Sequence, residues 1–250
     1  MCGLSGIICN SLEVEDPIWM LESYATNLAR LAGRRGQDSL GLSSITPLSH
    51  ENIKISEGNL NAFLGSGRFK TAVQDWSQKN ELKALFVFNR LEIVGTKHFA
   101  DNNGPIEIDG IIGMHNGIVC NASHMWELSE HKTPTLDVDS EVLFALLSEY
   151  WRDQRFYDYI KLLKSHLKGS FTLAAYDTKT KSFFFSTNTG SLYYIEDNAL
   201  TAFSSERCFL VESELLKIRP DIEVKQLEPW AYKVIDFAKL SSSTKALSPQ

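Results

Sequence analysis

The 250-residue chain is 43% hydrophobic and 22% charged, with a formal net charge of −6. That supplies a sizeable core for one large domain or two small ones. The absence of a long basic run argues against nucleic acid as a partner, and no stretch approaches the run of about 18 apolar residues that a membrane-spanning helix requires.

The start, Met1-Cys2-Gly3-Leu4-Ser5-Gly6, has no basic region followed by a long apolar run, so no signal peptide is expected. Residues 4–9 are short, apolar and bounded by Gly and Asn, which reads as a buried strand. Residues 17–32 carry Ile18, Leu21, Ala25, Leu28 and Ala32 near helical spacing, with Asp16 as N-cap, Pro17 at the first helical position and Gly33 as the stop. Residues 34–39 are polar and turn-rich and lead into a strand at 40–45. Strands are also expected at 83–88 and 111–114, each running straight into a polar cluster. A helix is expected at 139–150, with Val142, Leu143, Leu146 and Leu147 on one side, and another at 157–167. Strand-like runs follow at 171–176, 183–186, 192–195, 199–203 and 231–235, separated by turn residues such as Asp177, Asn188, Gly190 and Asn198. Strands come in blocks with helices grouped between them. The fold class is therefore α+β, layered, and not a doubly wound parallel sheet. Residues 2–240 read as one domain and 241–250 as a polar, frayed C-terminal tail.

Cys2, Cys9, Cys120 and Cys208 form no Cys-x-x-Cys pair and no cluster with His. The reading is a reducing, cytoplasmic setting without a disulfide framework, metal or cofactor. Cys2 carries a chemical possibility of its own. Removal of Met1 would leave a thiol and a free α-amine on one residue. An α-amine titrates near pH 7.7–8.0 in reference peptides and can serve as base for the thiol. The plain alternative is a small residue near the start of a chain. Gly3 and Gly6 mark places where the backbone must turn tightly or allow a ligand to approach.

Several further segments stand in order along the chain: Arg35-Gly36-Gln37-Asp38-Ser39, Asn89-Arg90-Leu91-Glu92-Ile93-Val94, His115-Asn116-Gly117-Ile118-Val119-Cys120-Asn121 and Asp139-Ser140-Glu141-Val142. Leu167-Lys168-Gly169-Ser170-Phe171 and Gly190-Ser191-Leu192-Tyr193-Tyr194 follow. Together with Cys2-Gly3-Leu4-Ser5-Gly6 they resemble the class II glutamine amidotransferases, a group of N-terminal-nucleophile hydrolases. They are similar to the glutaminase domains of asparagine synthetase and glucosamine-6-phosphate synthase. Ile93 and Val94 point to the asparagine-synthetase-like branch. Ile118-Val119-Cys120 within the Asn-Gly motif and Ser191 before Leu192 depart from that branch.

The resemblance implies a four-layer αββα sandwich of two antiparallel sheets. It implies that the Cys2 thiol attacks the side-chain amide of L-glutamine, that Asn116 and Gly117 stabilise the oxyanion, and that Arg90 and Asp139 bind the α-carboxylate and α-ammonium. It further implies a glutamyl thioester hydrolysed to glutamate, with ammonia delivered to a separate synthase chain, because no acceptor segment follows residue 240 or so. Plainer readings stand beside these. Asn116-Gly117 could be a hairpin turn, Asp139 a helix N-cap, and Arg90 a solvated charge with Arg68 its rival. Arg35 and Asp38 read as braces for the Cys2 strand, and His115 as a structural hydrogen-bonding residue. Two other functions are weighed: a catalytically silent descendant acting as a binding or scaffold module, and a different N-terminal-Cys amidase, which would not need Arg90 and Asp139 in one pocket.

Overall fold

The apolar runs become strands of two antiparallel sheets in the computed structural model, which describes residues 2–9, 18–46, 48–55, 60–67, 69, 71, 84–92, 94–96, 98–131, 133–236 and 241–245. In chain order the elements are β1 (Gly3–Cys9), α1 (Ile18–Ala32), β2 (Ser39–Ile45), β3 (His50–Ile55), α2 (Leu60–Leu64), β4 (Ala84–Arg90), a 3₁₀ turn (Ala100–Asn102), β5 (Ile106–Ile108) and β6 (Ile111–Val119). Then come α3 (Ala122–Leu128), α4 (Glu141–Trp151), α5 (Phe156–His166), β7 (Gly169–Asp177), β8 (Ser182–Thr187), β9 (Tyr193–Glu196), β10 (Leu200–Ser204), α6 (Arg207–Val211), α7 (Glu214–Ile218), β11 (Lys225–Gln226), β12 (Tyr232–Asp236) and β13 (Ser241–Lys245). One sheet has seven strands in the order β11-β9-β10-β1-β4-β2-β3, and the other has six in the order β13-β12-β8-β7-β6-β5.

Side-chain alternation along each strand divides the core into layers. Leu4 and Ile8 of β1, and Cys2 just before it, face the other sheet and pack with Phe86, Phe88, Ile112 and Met114. Ile7 and Cys9 face the opposite way, onto Tyr24 and Leu28 of α1. On the far side of the six-stranded sheet, Phe171, Leu173 and Ala175 pack against α4 and α5. The stack is therefore helices, sheet, sheet, helices, the αββα order expected. Because both faces of the central strands are covered, they read as continuous apolar runs.

Gly3 and Gly6 lie within β1 and not in a turn, at places of close packing. A Cβ at Gly3 would lie 2.3 Å from the Ala32 carbonyl oxygen at the end of α1, and one at Gly6 would lie 2.5 Å from the Phe203 ring. The helix expected at 139–150 begins at Glu141 and is not one-sided. Residues Val142 to Leu147 are all fully buried, because Tyr159, Ile160 and Leu163 of α5 cover the flank that faces away from the sheet.

Three expectations are corrected. The strand expected at 111–114 runs on to Val119, so the polar residues His115 and Asn116 lie inside β6. Strand β3, which the pattern did not predict, carries His50, Glu51, Asn52 and Lys54 at a sheet edge, where charge blocks pairing with another chain. The frayed tail is ordered over Ser241–Lys245, which pairs with β12 from Tyr232↔Lys245 to Asp236↔Ser241. The ladder with β12 is a backbone pairing, which requires no apolar pattern in the sequence. The expected cap at Asp16 and Pro17 and the strand start at Lys83 lie outside the described residues.

Candidate active site

Cys2 precedes β1, which is flanked by β10 and β4 at the middle of the seven-stranded sheet. The residue is 8% exposed. Its Sγ–H donates to the Leu91 carbonyl oxygen at 3.7 Å. Burial pushes the thiol above its ordinary range; the Asp139 carboxylate adds to this and the Arg90 guanidinium opposes it. The resting group is a thiol, so an attack by Cys2 requires a base that takes the proton.

Asn116 and Gly117 form no hairpin turn. Both pair within the β6–β7 ladder, Asn116 with Thr172 and Gly117 with Phe171. Alternation puts Asn116 on the same face of β6 as Ile112 and Met114, which pack in one cluster with Cys2. Its side-chain Oδ1 is buried without a hydrogen-bond partner. Gly117 has φ +155°, and a Cβ there would lie 2.0 Å from the Ser170 carbonyl oxygen. Only glycine fits that backbone.

Arg90 ends β4 and is 5% exposed, so it is not a solvated charge. Nη1 donates to Asn103 Oδ1 at 2.7 Å, and Nη2 donates to the Val94 and Gly95 carbonyls at 2.6 Å each. All three acceptors are neutral, and among the described residues no carboxylate forms a salt bridge with it. A buried guanidinium held only by neutral dipoles favours an incoming anion. Arg68 lies outside the described residues.

Asp139 does not cap α4: the N-cap residue is Ser140, with no side-chain capping bond. Asp139 Oδ2 instead accepts the Val119 N–H at 2.6 Å, which ties the end of β6 to the α4 approach. Glu141, 1% exposed, takes the N–H groups of Thr135 and Leu136 and so closes the loop before Asp139. His115 lies between the two regions. Its Nε2 faces the Ser170 carbonyl at 3.3 Å, so Nε2 carries the proton and Nδ1 accepts the Ser140 hydroxyl at 2.8 Å. Burial lowers the imidazole from its ordinary range, against the pull of Asp139. This neutral, doubly bonded ring fits the structural role expected.

A pH dependence follows. The unfolded chain binds a proton at His115 below about pH 6.5, and the folded chain resists it. The stabilisation is complete above the unfolded pKa and is lost as pH falls toward the folded one. Urea denaturation at about pH 7.5 and about pH 5.5 is expected to show a shallower loss in His115→Asn than in wild type; equal losses contradict this.

Arg35 pairs with Glu206, just beyond β10. Asp38 Oδ2 accepts the Glu92 N–H at 2.8 Å, while its own N–H donates to the Arg90 carbonyl at 3.0 Å. Neither residue is among those that line the cleft. The cleft encloses about 450 Å³, including its open mouth, and Cys2, Arg90, Asn102, His115, Gly117 and Asp139 share its wall. Asn102 was not singled out from sequence. Its partners stand in separate loops, and no local pattern marks it. Among the described residues no group of three or more His, Cys, Asp or Glu is placed to hold a metal ion.

The family model of the glutamine amidotransferase domain matches residues 88–212, half of the 250-residue chain. This chain belongs to the glutamine amidotransferase family. The matched segment contains Arg90, Asn116, Gly117 and Asp139, and Cys2 precedes it. No curated protein matches the sequence. Among solved structures, the chain is similar to glutamine phosphoribosylpyrophosphate (PRPP) amidotransferase from B. subtilis, complexed with ADP and GMP. The TM-score is 0.63 at 18% identity, over 98% of this chain and 49% of that one. It is also similar to the allosteric regulatory enzyme of purine biosynthesis, with a TM-score of 0.61 at 16% identity, over 98% and 49% of the two chains. The glutamine amidotransferase chain thus spans about half the length of these structures. At such identity the likeness concerns the fold, which is that of the N-terminal-nucleophile hydrolases. Among the described residues no helix is long and apolar enough to cross a membrane.

Proposed function

We propose that this amidotransferase domain hydrolyses L-glutamine to glutamate and ammonia through a thioester on Cys2. The observation that carries the reading is the single cleft whose wall combines Cys2, Arg90, Gly117 and Asp139. After Met1 is removed, the Cys2 α-amine takes the thiol proton as sulfur attacks the side-chain amide carbon. The Asn116 amide and the Gly117 N–H stabilise the oxyanion. The tetrahedral intermediate collapses, the α-amine returns its proton to the departing nitrogen, and ammonia leaves. Water then attacks the glutamyl thioester, releasing glutamate and restoring the thiol.

Arg90 takes the substrate α-carboxylate and Asp139 the α-ammonium. A different N-terminal-Cys amidase would have no use for this pair of charges in one cleft. The domain that carries the reaction is taken as residues 2–240 together with β13, in a cytoplasmic setting. The ammonia goes to an acceptor synthase, since free ammonia would be lost to water.

A glutaminase assay on protein with a verified N-terminus tests the assignment. Arg90→Lys is expected to raise KM for glutamine by about 10-fold to 100-fold, because an ammonium cannot reproduce a bidentate guanidinium bond. Asp139→Asn is expected to act similarly. Unchanged KM in both variants rejects the assignment. A wild-type protein that hydrolyses no glutamine, alone or with any candidate acceptor chain, supports instead a silent binding or scaffold module.

A further inference from the structure

Asn102 ends the 3₁₀ turn, is 4% exposed and faces the cleft, yet the reaction assigns it no step. Its carboxamide bridges two loops. Nδ2 donates to the Thr96 carbonyl at 3.1 Å, and Oδ1 accepts the Asp137 N–H at 3.1 Å. These partners fix the orientation of the amide, because a carbonyl only accepts and a backbone N–H only donates.

The two loops are those that carry the charges of the cleft. One contains the Val94 and Gly95 carbonyls that hold Arg90 Nη2. The other leads from Asp137 to Asp139 and is closed from behind by Glu141. They touch directly at Gly95, where φ is +73° and a Cβ would lie 2.6 Å from the Asp137 carbonyl oxygen. The strands place Arg90 on one sheet and the Asp139 anchor, Val119, on the other. Between these two strands the loops meet, and Asn102 is the hydrogen-bonded clamp of that contact.

We infer that Asn102 is a positioning residue that sets the span between Arg90 and Asp139, and so selects a free α-amino acid over amides lacking either α-group. The inference rests on the proposed roles of those two residues. An aligned pair of charges reads both α-groups at once; a misaligned pair reads one at the expense of the other.

The test compares three amides: L-glutamine, glutaramate, which lacks the α-ammonium, and γ-aminobutyramide, which lacks the α-carboxylate. Asn102→Ala is expected to raise KM for glutamine about 10-fold or more with kcat within about twofold, and to shrink the kcat/KM preference over both analogues by a similar factor. Asn102→Ser, which retains a small polar group, serves as the milder variant. Alkylation of Cys2 by iodoacetamide, a reagent without α-groups, is expected to keep its wild-type rate within about twofold in both. Equal losses on all three amides with slowed alkylation indicate a merely structural role and overturn the inference. So does unchanged KM and preference in both variants of an active enzyme. If wild type does not hydrolyse glutamine, the site assignment itself fails and the inference falls with it.

Discussion

Cys2→Ala is expected to lower kcat for glutamine hydrolysis by about 10⁴-fold or more, the scale seen when a covalent nucleophile is deleted. Cys2 sits against Phe88 and Met114, its sulfur bonded to the Leu91 carbonyl and its pKa raised by burial. Such a thiol is inert without a base at hand, and the α-amine of the same residue is the base the account supplies. Protein that retains Met1 is therefore expected to be as inactive as Cys2→Ala, although its thiol is intact. Steady-state kinetics on forms separated by intact mass check both statements. An active Met1-retaining form would remove the α-amine from the mechanism, and an active Cys2→Ala would remove the thiol.

Asn116→Ala is expected to lower kcat by about 10²-fold to 10³-fold while KM for glutamine stays within about threefold, because an oxyanion donor acts on charge that exists only in the transition state. Residue 116 lies on the face of β6 that packs with Cys2, and its Oδ1 is buried without a partner. The amide oxygen only accepts, so Nδ2 is the donor the oxyanion requires, and the unpartnered Oδ1 costs the fold stability. Alanine is therefore not expected to destabilise the fold, and thermal melting read beside the kinetics separates the two effects. Gly117 is a poorer probe. Any Cβ there collides with the Ser170 carbonyl, so activity and folding change together. A kcat within about threefold of wild type in a folded Asn116→Ala protein contradicts the assignment.

The sequence marked the candidate site residues more plainly than the layers that hold them. Arg90, Asn116-Gly117 and Asp139 stand in local motifs, so they could be named before the chain was folded. The central strands were readable because burial on both faces leaves runs such as Ile7-Ile8-Cys9. Strand β13 was not, since Ser241-Ser242-Ser243-Thr244-Lys245 carries no apolar pattern and is held by its ladder with β12. The extent of β6 was obscured because His115 and Asn116 look like turn residues, and only the register with Leu173 and Thr172 makes them strand. A cap was the plainer reading of Asp139 because Asp commonly begins helices; its bond to Val119, on a strand 20 residues earlier, is a tertiary fact. Asn102 was invisible for the same reason. Its hydrogen bonds go to Thr96 and Asp137, on segments distant in sequence that meet at Gly95.

A covalent bond between Cys2 and the substrate is open to direct measurement. Protein lacking Met1 can be mixed with L-glutamine, quenched in acid within the first turnovers and analysed by intact mass and peptide mapping. The account predicts a mass gain of one glutamyl group on the Cys2 peptide, absent in Cys2→Ala and in protein that retains Met1. Steady glutamate release with no adduct on Cys2, or an adduct on another residue, would contradict it.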